Sequence, residues 1–133
     1  MWDQLRILEP AIGPTGKYNA KELAKLLGWK TEDVVEFLKR DRSAVYRNPE
    51  ADKYQDELGA LAGLFRDLVA AFVPRPDSGA AASPKLAAEQ AARTWLVTSI
   101  SALDGASPKQ KILAGELPAV RRLLAEYTSG LSL

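Results

Sequence analysis

The side chains with the clearest chemistry lie between Lys17 and Arg47. Eight basic residues (Lys17, Lys21, Lys25, Lys30, Lys39, Arg40, Arg42, Arg47) stand there against five acidic ones (Glu22, Glu32, Asp33, Glu36, Asp41), a net of +3. The next stretch, Glu50 to Asp77, has three basic and six acidic residues, a net of −3. Cationic side chains neutralise phosphates, while hydroxyl and amide groups fix register on a duplex by hydrogen bonding. Arg40, Arg42, Ser43, Tyr46, Arg47 and Asn48 are therefore the candidate set for contact with DNA. Catalysis is a poor fit. The 133 residues include no histidine and no cysteine, which removes the commonest general base, the usual zinc ligands and any disulfide. The remaining Asp, Glu, Lys, Ser and Tyr show no cluster beyond helix-surface spacing. No cofactor and no small-molecule substrate is expected.

The candidate DNA set needs short helices to carry it. Asn19 can cap a helix with an apolar face of Leu23, Leu26 and Leu27, ended by Gly28. Thr31 is placed to cap the next, whose first turn is acidic (Glu32, Asp33) and whose stripe is Val34, Val35 and Leu38. A third segment, Asp41 to Arg47, is halted by Asn48-Pro49. Two helix-turn-helix registers fit. The first pairs Lys21–Leu27 with Glu32–Lys39 and satisfies the simpler spacing rules. The second pairs Thr31–Lys39 with Arg42–Asn48, with the turn at Arg40-Asp41. Charge favours the second, because the first presents Glu32, Asp33 and Glu36 to phosphates.

Tyr54, Leu58, Leu61, Phe65, Leu68 and Phe72 recur in steps of four and three, predicting one long helix from Glu50 to Val73. Its face could be core, or could pair with a second copy, as DNA-reading dimers do. Gly59 and Gly63 could permit close helix approach. Before all this, Met1 to Leu8 is a short amphipathic piece, with Trp2 as core anchor or interface residue. The Pro-, Ala- and Ser-rich run 74–85 reads as a linker between a 1–73 DNA-binding and dimerisation region and an 86–133 module. The expected class is all-α. An apolar fraction of 47% suits a folded chain. No signal peptide or membrane-length run is present, so a cytoplasmic protein is expected.

The last third, Ala91 to Gly130, has dense punctuation. Ser107-Pro108 is an N-cap followed by proline at the first helical position. Asp104-Gly105 is a tight turn, Gly115 a helix stop and Pro118 a restart. Trp95, Leu96, Leu103, Ile112, Leu113, Val120, Leu123 and Leu124 could form one small core. This ordered series resembles the C-terminal toxin-binding domain of Xre/MbcA/ParS-type antitoxins. It carries the Ala-x-x-x-Trp-Leu helix as Ala91, Trp95 and Leu96, and the turn as Leu103, Gly105, Ser107 and Pro108. The later helices match through Ile112, Leu113, Gly115, Val120, Leu123, Leu124 and Gly130. Asp104 stands where that family usually has Gly, and Val97 to Ala102 lacks its common Asn-Pro. The stretch RSAVYRNPEADKYQ is similar to the family's recognition-helix region, with Lys39 where its turn usually has Gly.

The resemblance implies an antitoxin of a type II pair. Its C-terminal module would mask a RES-domain toxin that consumes NAD, and its N-terminal helices would bind the operator of its own operon as a homodimer. The NAD belongs to the toxin. It also implies that the final residues reach the toxin's cleft. Here these are Ser129, Gly130, Leu131, Ser132 and Leu133, an uncapped tail that could instead fold back on the core. Trp95, Arg121 and Arg122 complete the candidate toxin-binding set. A stand-alone regulator and a helical adaptor remain alternatives.

Overall fold

The computed structural model describes residues 9–13, 15–72 and 84–131. Among them are seven α-helices, three short 3-10 turns and no strand, so the chain is all-α. In order, the helices are α1 (Ala20–Leu27), α2 (Thr31–Leu38), α3 (Arg42–Arg47), α4 (Gln55–Phe72), α5 (Pro84–Leu96), α6 (Pro108–Leu113) and α7 (Leu117–Leu131). The chain divides into two compact units, Met1–Arg66 and Asp67–Leu133, with the boundary inside α4. The amphipathic piece 1–8, linker residues 74–83, and Ser132 and Leu133 lie outside the described residues. Pro84 and Lys85, assigned to the linker by composition, are the first residues of α5. No helix among the described residues is long and apolar enough to cross a membrane.

In the first unit, capping chemistry sets the helix ends. The Asn19 side chain accepts from the N–H groups of Lys21 (3.0 Å) and Glu22 (3.1 Å), satisfying two donors that α1 cannot use. At the other end Gly28 adopts φ 77°, and the Trp29 N–H returns to the Ala24 carbonyl at 2.8 Å. That is the Schellman closure, and it needs a residue at ease with positive φ. Thr31 is the first residue of α2 rather than its cap. The Asp33 carboxylate takes the Lys30 N–H instead, at 3.0 Å. Asp41 caps α3 by accepting from the Ala44 N–H at 3.1 Å. α1 packs on α2 and α2 on α3. Leu23, Leu27, Val34, Leu38 and Val45 are buried there.

The long helix begins at Gln55, not Glu50, and the reason is polar. The Glu50 carboxylate accepts hydrogen bonds from the Thr15 hydroxyl and from Asn19 Nδ2 (3.0 Å), holding it outside helical geometry. Gln55 binds both backbone groups of Tyr18, accepting from its N–H at 2.8 Å and donating to its carbonyl at 3.0 Å. Tyr54, Leu58, Leu61, Leu64, Phe65, Leu68 and Val69 are all buried, so the expected stripe is core of this chain, whereas Phe72 is 37% exposed. A Cβ at Gly59 would lie 3.5 Å from the Tyr18 ring. That glycine faces a tyrosine of the N-terminal loop rather than another helix.

In the second unit α5 buries Ala88, Ala92 and Leu96. Leu103, Asp104, Gly105 and Ala106 make a tight turn closed by the Ala106 N–H on the Leu103 carbonyl at 3.1 Å. Its two central residues have φ 58° and 83°, as a type I′ turn requires. Ser107 and Gln110 cap α6 reciprocally: the Ser107 hydroxyl accepts from the Gln110 N–H at 3.1 Å, and Gln110 Oε1 accepts from the Ser107 N–H at 2.8 Å. Gly115 at φ 88° ends α6, and the Glu116 N–H bonds the Lys111 carbonyl at 2.8 Å. α6 packs on α5 and α7, burying Ile112, Val120, Leu123 and Leu124.

Candidate functional site

The basic candidates of the first unit are held in two different ways. Arg42 opens α3, and its Nη2 donates to Glu32 Oε1 at 3.0 Å. The Tyr46 hydroxyl, one turn later on the same side of α3, donates to the same oxygen at 2.8 Å. The Tyr46 ring has two cations over it, Lys21 Nζ and Arg42 Cζ, each 5.1 Å from its centroid. Such positions over a ring face are attractive because the π cloud is negative. The Tyr46 hydroxyl holds the Glu32 carboxyl below its ordinary range, with its own backbone N–H and the Arg42 and Lys30 charges adding to the effect. Arg40 faces Glu57 at 3.6 Å. Ser43 and Arg47, four residues apart on the neighbouring side of α3, are exposed, as is Asn48.

Arg42 and Tyr46 thus form one group with Lys21 and Glu32, and Ser43 and Arg47 form another. From the sequence, Glu32 reads as an acidic residue of a helix's first turn and as a charge that would repel phosphate. Its role as common acceptor joins positions 10 and 14 residues apart, and no periodicity reports that. Lys21 was likewise counted only as part of a basic run. Both helix pairs weighed from the sequence are neighbouring helices here.

Lys39, between α2 and α3, adopts φ 55° and ψ 45°. Asp104 adopts φ 58° and ψ 34°. These are the two non-glycine residues with positive φ among those described. An L-residue in this region brings Cβ against the following carbonyl, a strain of roughly 1–2 kcal/mol that Asp and Asn relieve better than Lys.

In the second unit Trp95 is half-buried and meets Tyr127 edge to face, with ring centroids 6.4 Å apart at 74°. The pair lines an open hollow of about 380 Å³ together with Leu68, Phe72, Leu124 and Glu126. Tyr127 and Phe72 are large apolar surfaces open to water. Neither was among the sequence candidates. Phe72 belongs to the stripe expected to be buried, and Tyr127 lies in the final helix between Leu124 and Gly130 without being one of the residues that carry the resemblance. Arg121 pairs with Asp67 at 3.2 Å on a second hollow of about 430 Å³, whose walls include Ala70, Ala71 and Thr128. Arg122 is exposed and lines a smaller hollow of about 170 Å³ with Leu103 and Glu126. Ser129, Gly130 and Leu131, expected as a tail, continue α7 as helix. The Thr128 hydroxyl bonds back to the carbonyls of Leu124 (3.1 Å) and Ala125 (3.0 Å) within that helix.

No protein-family model matches the chain, and no curated protein or solved structure matches it.

Proposed function

We propose that the chain is a non-catalytic antitoxin, which covers a RES-domain toxin with its second unit and operator DNA with its first. The observation that carries this reading is the backbone at Lys39 and Asp104. At both positions the antitoxin pattern usually has glycine, this chain has another residue, and the conformation is the one glycine favours. A chain descended from that pattern would keep the turn geometry after the residue had changed. Left-handed residues are common at helix ends and in tight turns, so the support lies in both of them falling where the pattern has glycine.

On this reading the hollow beside Trp95 and Tyr127 receives an apolar part of the toxin. Exposed aromatic rings bury large areas at little entropic cost, which suits them to a partner surface. Arg121, Arg122 and the end of α7 from Ser129 onward flank that contact. Arg40, Arg42, Ser43, Tyr46, Arg47 and Asn48 face the duplex, and two copies read paired half-sites in the cytoplasm. Neutralisation works by occlusion, and the NAD chemistry stays with the toxin.

Co-expression with the product of the adjacent gene tests this. Growth rescue and co-purification are expected, and a neighbour that is neither toxic nor bound would end the antitoxin reading. Removing 129–133 should weaken neutralisation while leaving DNA binding intact. The pairing of Arg40 and Arg42 with carboxylates favours a second reading, a helical adaptor that does not touch DNA. A gel shift on the upstream DNA separates the two. Changing Arg42 and Arg47 together to Ala should weaken binding and flatten its salt dependence.

A further inference from the structure

The position of Glu32 has a consequence for how a duplex would be met. One oxygen of this exposed carboxylate receives both the Tyr46 hydroxyl and the Arg42 guanidinium. The Tyr46 ring in turn has both Arg42 and Lys21 within 5.1 Å of its centroid. Two groups suited to phosphate are therefore held on one negative charge, with Lys21 beside the ring of one of them, and the tie runs from the first turn of α2 across to α3. Arg42 stays accessible, with 68% of its side-chain surface exposed, so a phosphate can reach it by displacing the carboxylate.

We propose that Glu32 is an electrostatic gate on this surface: it neutralises Arg42 and anchors Tyr46 in the free protein, and is exchanged for a backbone phosphate on binding. The inference rests on the DNA-binding reading above. Its effect is to suppress attraction to arbitrary duplex, because each cation already paired inside the protein releases one counterion fewer from DNA. Only a site that offers further contacts repays the exchange. A glutamate is ionised throughout the neutral range in any case, and the Tyr46 hydrogen bond lowers the Glu32 pKa further.

The test measures binding of the full chain to a labelled duplex of arbitrary sequence across a salt series. Glu32→Gln should raise affinity at low salt roughly five- to tenfold and steepen the slope of log K against log salt by about 0.9, one extra phosphate neutralised. Glu36→Gln removes an equal charge one turn along the same helix and should produce a smaller rise. An equal rise from Glu36→Gln would mean that net charge alone acts, and the gate is wrong. If Arg42→Ala with Arg47→Ala weakens binding but Glu32→Gln leaves it unchanged or lower, the gate falls and the DNA-binding reading survives. If wild type and the double Ala variant behave identically on DNA, both fall together. Circular dichroism checks each fold. Should Glu32→Gln not fold, Glu32→Asp draws the carboxylate back by one methylene from Arg42 and Tyr46 without removing a charge; it must raise affinity, and no rise overturns the gate.

Discussion

Tyr46 and Tyr127 both lie partly open to water, and their surroundings differ in kind. Tyr46 has its hydroxyl on a carboxylate and its ring against two cations. Tyr127 stands edge-on to Trp95 over an apolar hollow. The first cluster is satisfied within its own unit, and a polyanion must outcompete the partners it already has. Apolar surface in the second has no such internal exchange, and gains only when something covers it. Two units of similar size therefore present two different bargains to a partner: substitution in one, burial in the other.

Paired substitutions, one in each unit, can break or sharpen that contrast. The largest effects belong to the cores. Leu23→Ala and Ile112→Ala each remove a fully buried side chain and should cost about 2–5 kcal/mol by denaturant unfolding. Hydrogen exchange resolved by peptide should show each loss concentrated in its own unit. Uniform loosening of both would dissolve the division.

Caps come next. Asn19→Ala and Ser107→Ala each orphan helical N–H groups, and about 0.5–2 kcal/mol should be lost in each case. Asn19 should cost more, because it also donates to Glu50. Smaller, and opposite in sign, is relief at the two left-handed residues. Lys39→Gly should stabilise by up to about 1 kcal/mol, the strain removed less the added flexibility of the unfolded chain. Asp104→Gly should gain less, since Asp tolerates this region. A Lys39→Gly variant with a lower melting temperature would contradict the strain assigned there.

Acid should distinguish the units most gently. Glu50, hydrogen-bonded by Thr15 and then Asn19, and Glu32, bonded by Tyr46, both have carboxyls held below their ordinary value of 4.5. A depressed folded-state pKa contributes stability that is present above 4.5 and is lost as pH falls through the lower folded value. Between neutral pH and about 4.5 these two groups should add no slope. Below it the urea midpoint should fall, and Glu50→Gln should flatten part of that fall. Exchange in the first unit should respond more than in the second.

Much of this architecture was legible because local chemistry dictates it. Asn19, Gly28, Asp41, Ser107, Asp104-Gly105 and Gly115 each act within a few residues of themselves, and each stands at an expected helix end or turn. The apolar steps of α4 named its buried face for the same reason. Where sequence reasoning failed, distant residues decided. Helix α4 starts late because Gln55 and Glu50 are engaged by the loop at Thr15 to Asn19, more than 30 residues earlier. Thr31 is a local exception: it falls inside the helix, and the Asp33 carboxylate two residues on takes the Lys30 N–H. Of the candidate surfaces, the exposed arginines were visible as charge, but the Glu32 oxygen that gathers two of their group was not. The aromatic hollow was half visible: Trp95 stood out, while Tyr127 and Phe72 were hidden inside ordinary helical periodicity.

Gln55 has one more lesson. With its carbonyl on the Tyr18 N–H and its nitrogen on the Tyr18 carbonyl, this side chain imitates a neighbouring peptide group, both lone pair and proton in place. A glutamate is nearly the same shape, yet at neutral pH it would turn one attraction into a confrontation of two oxygens. The seating of the loop before α1 thus draws on a single nitrogen atom beside the bonds of Thr15 and Asn19 to Glu50, and slow hydrolysis of that amide would weaken it.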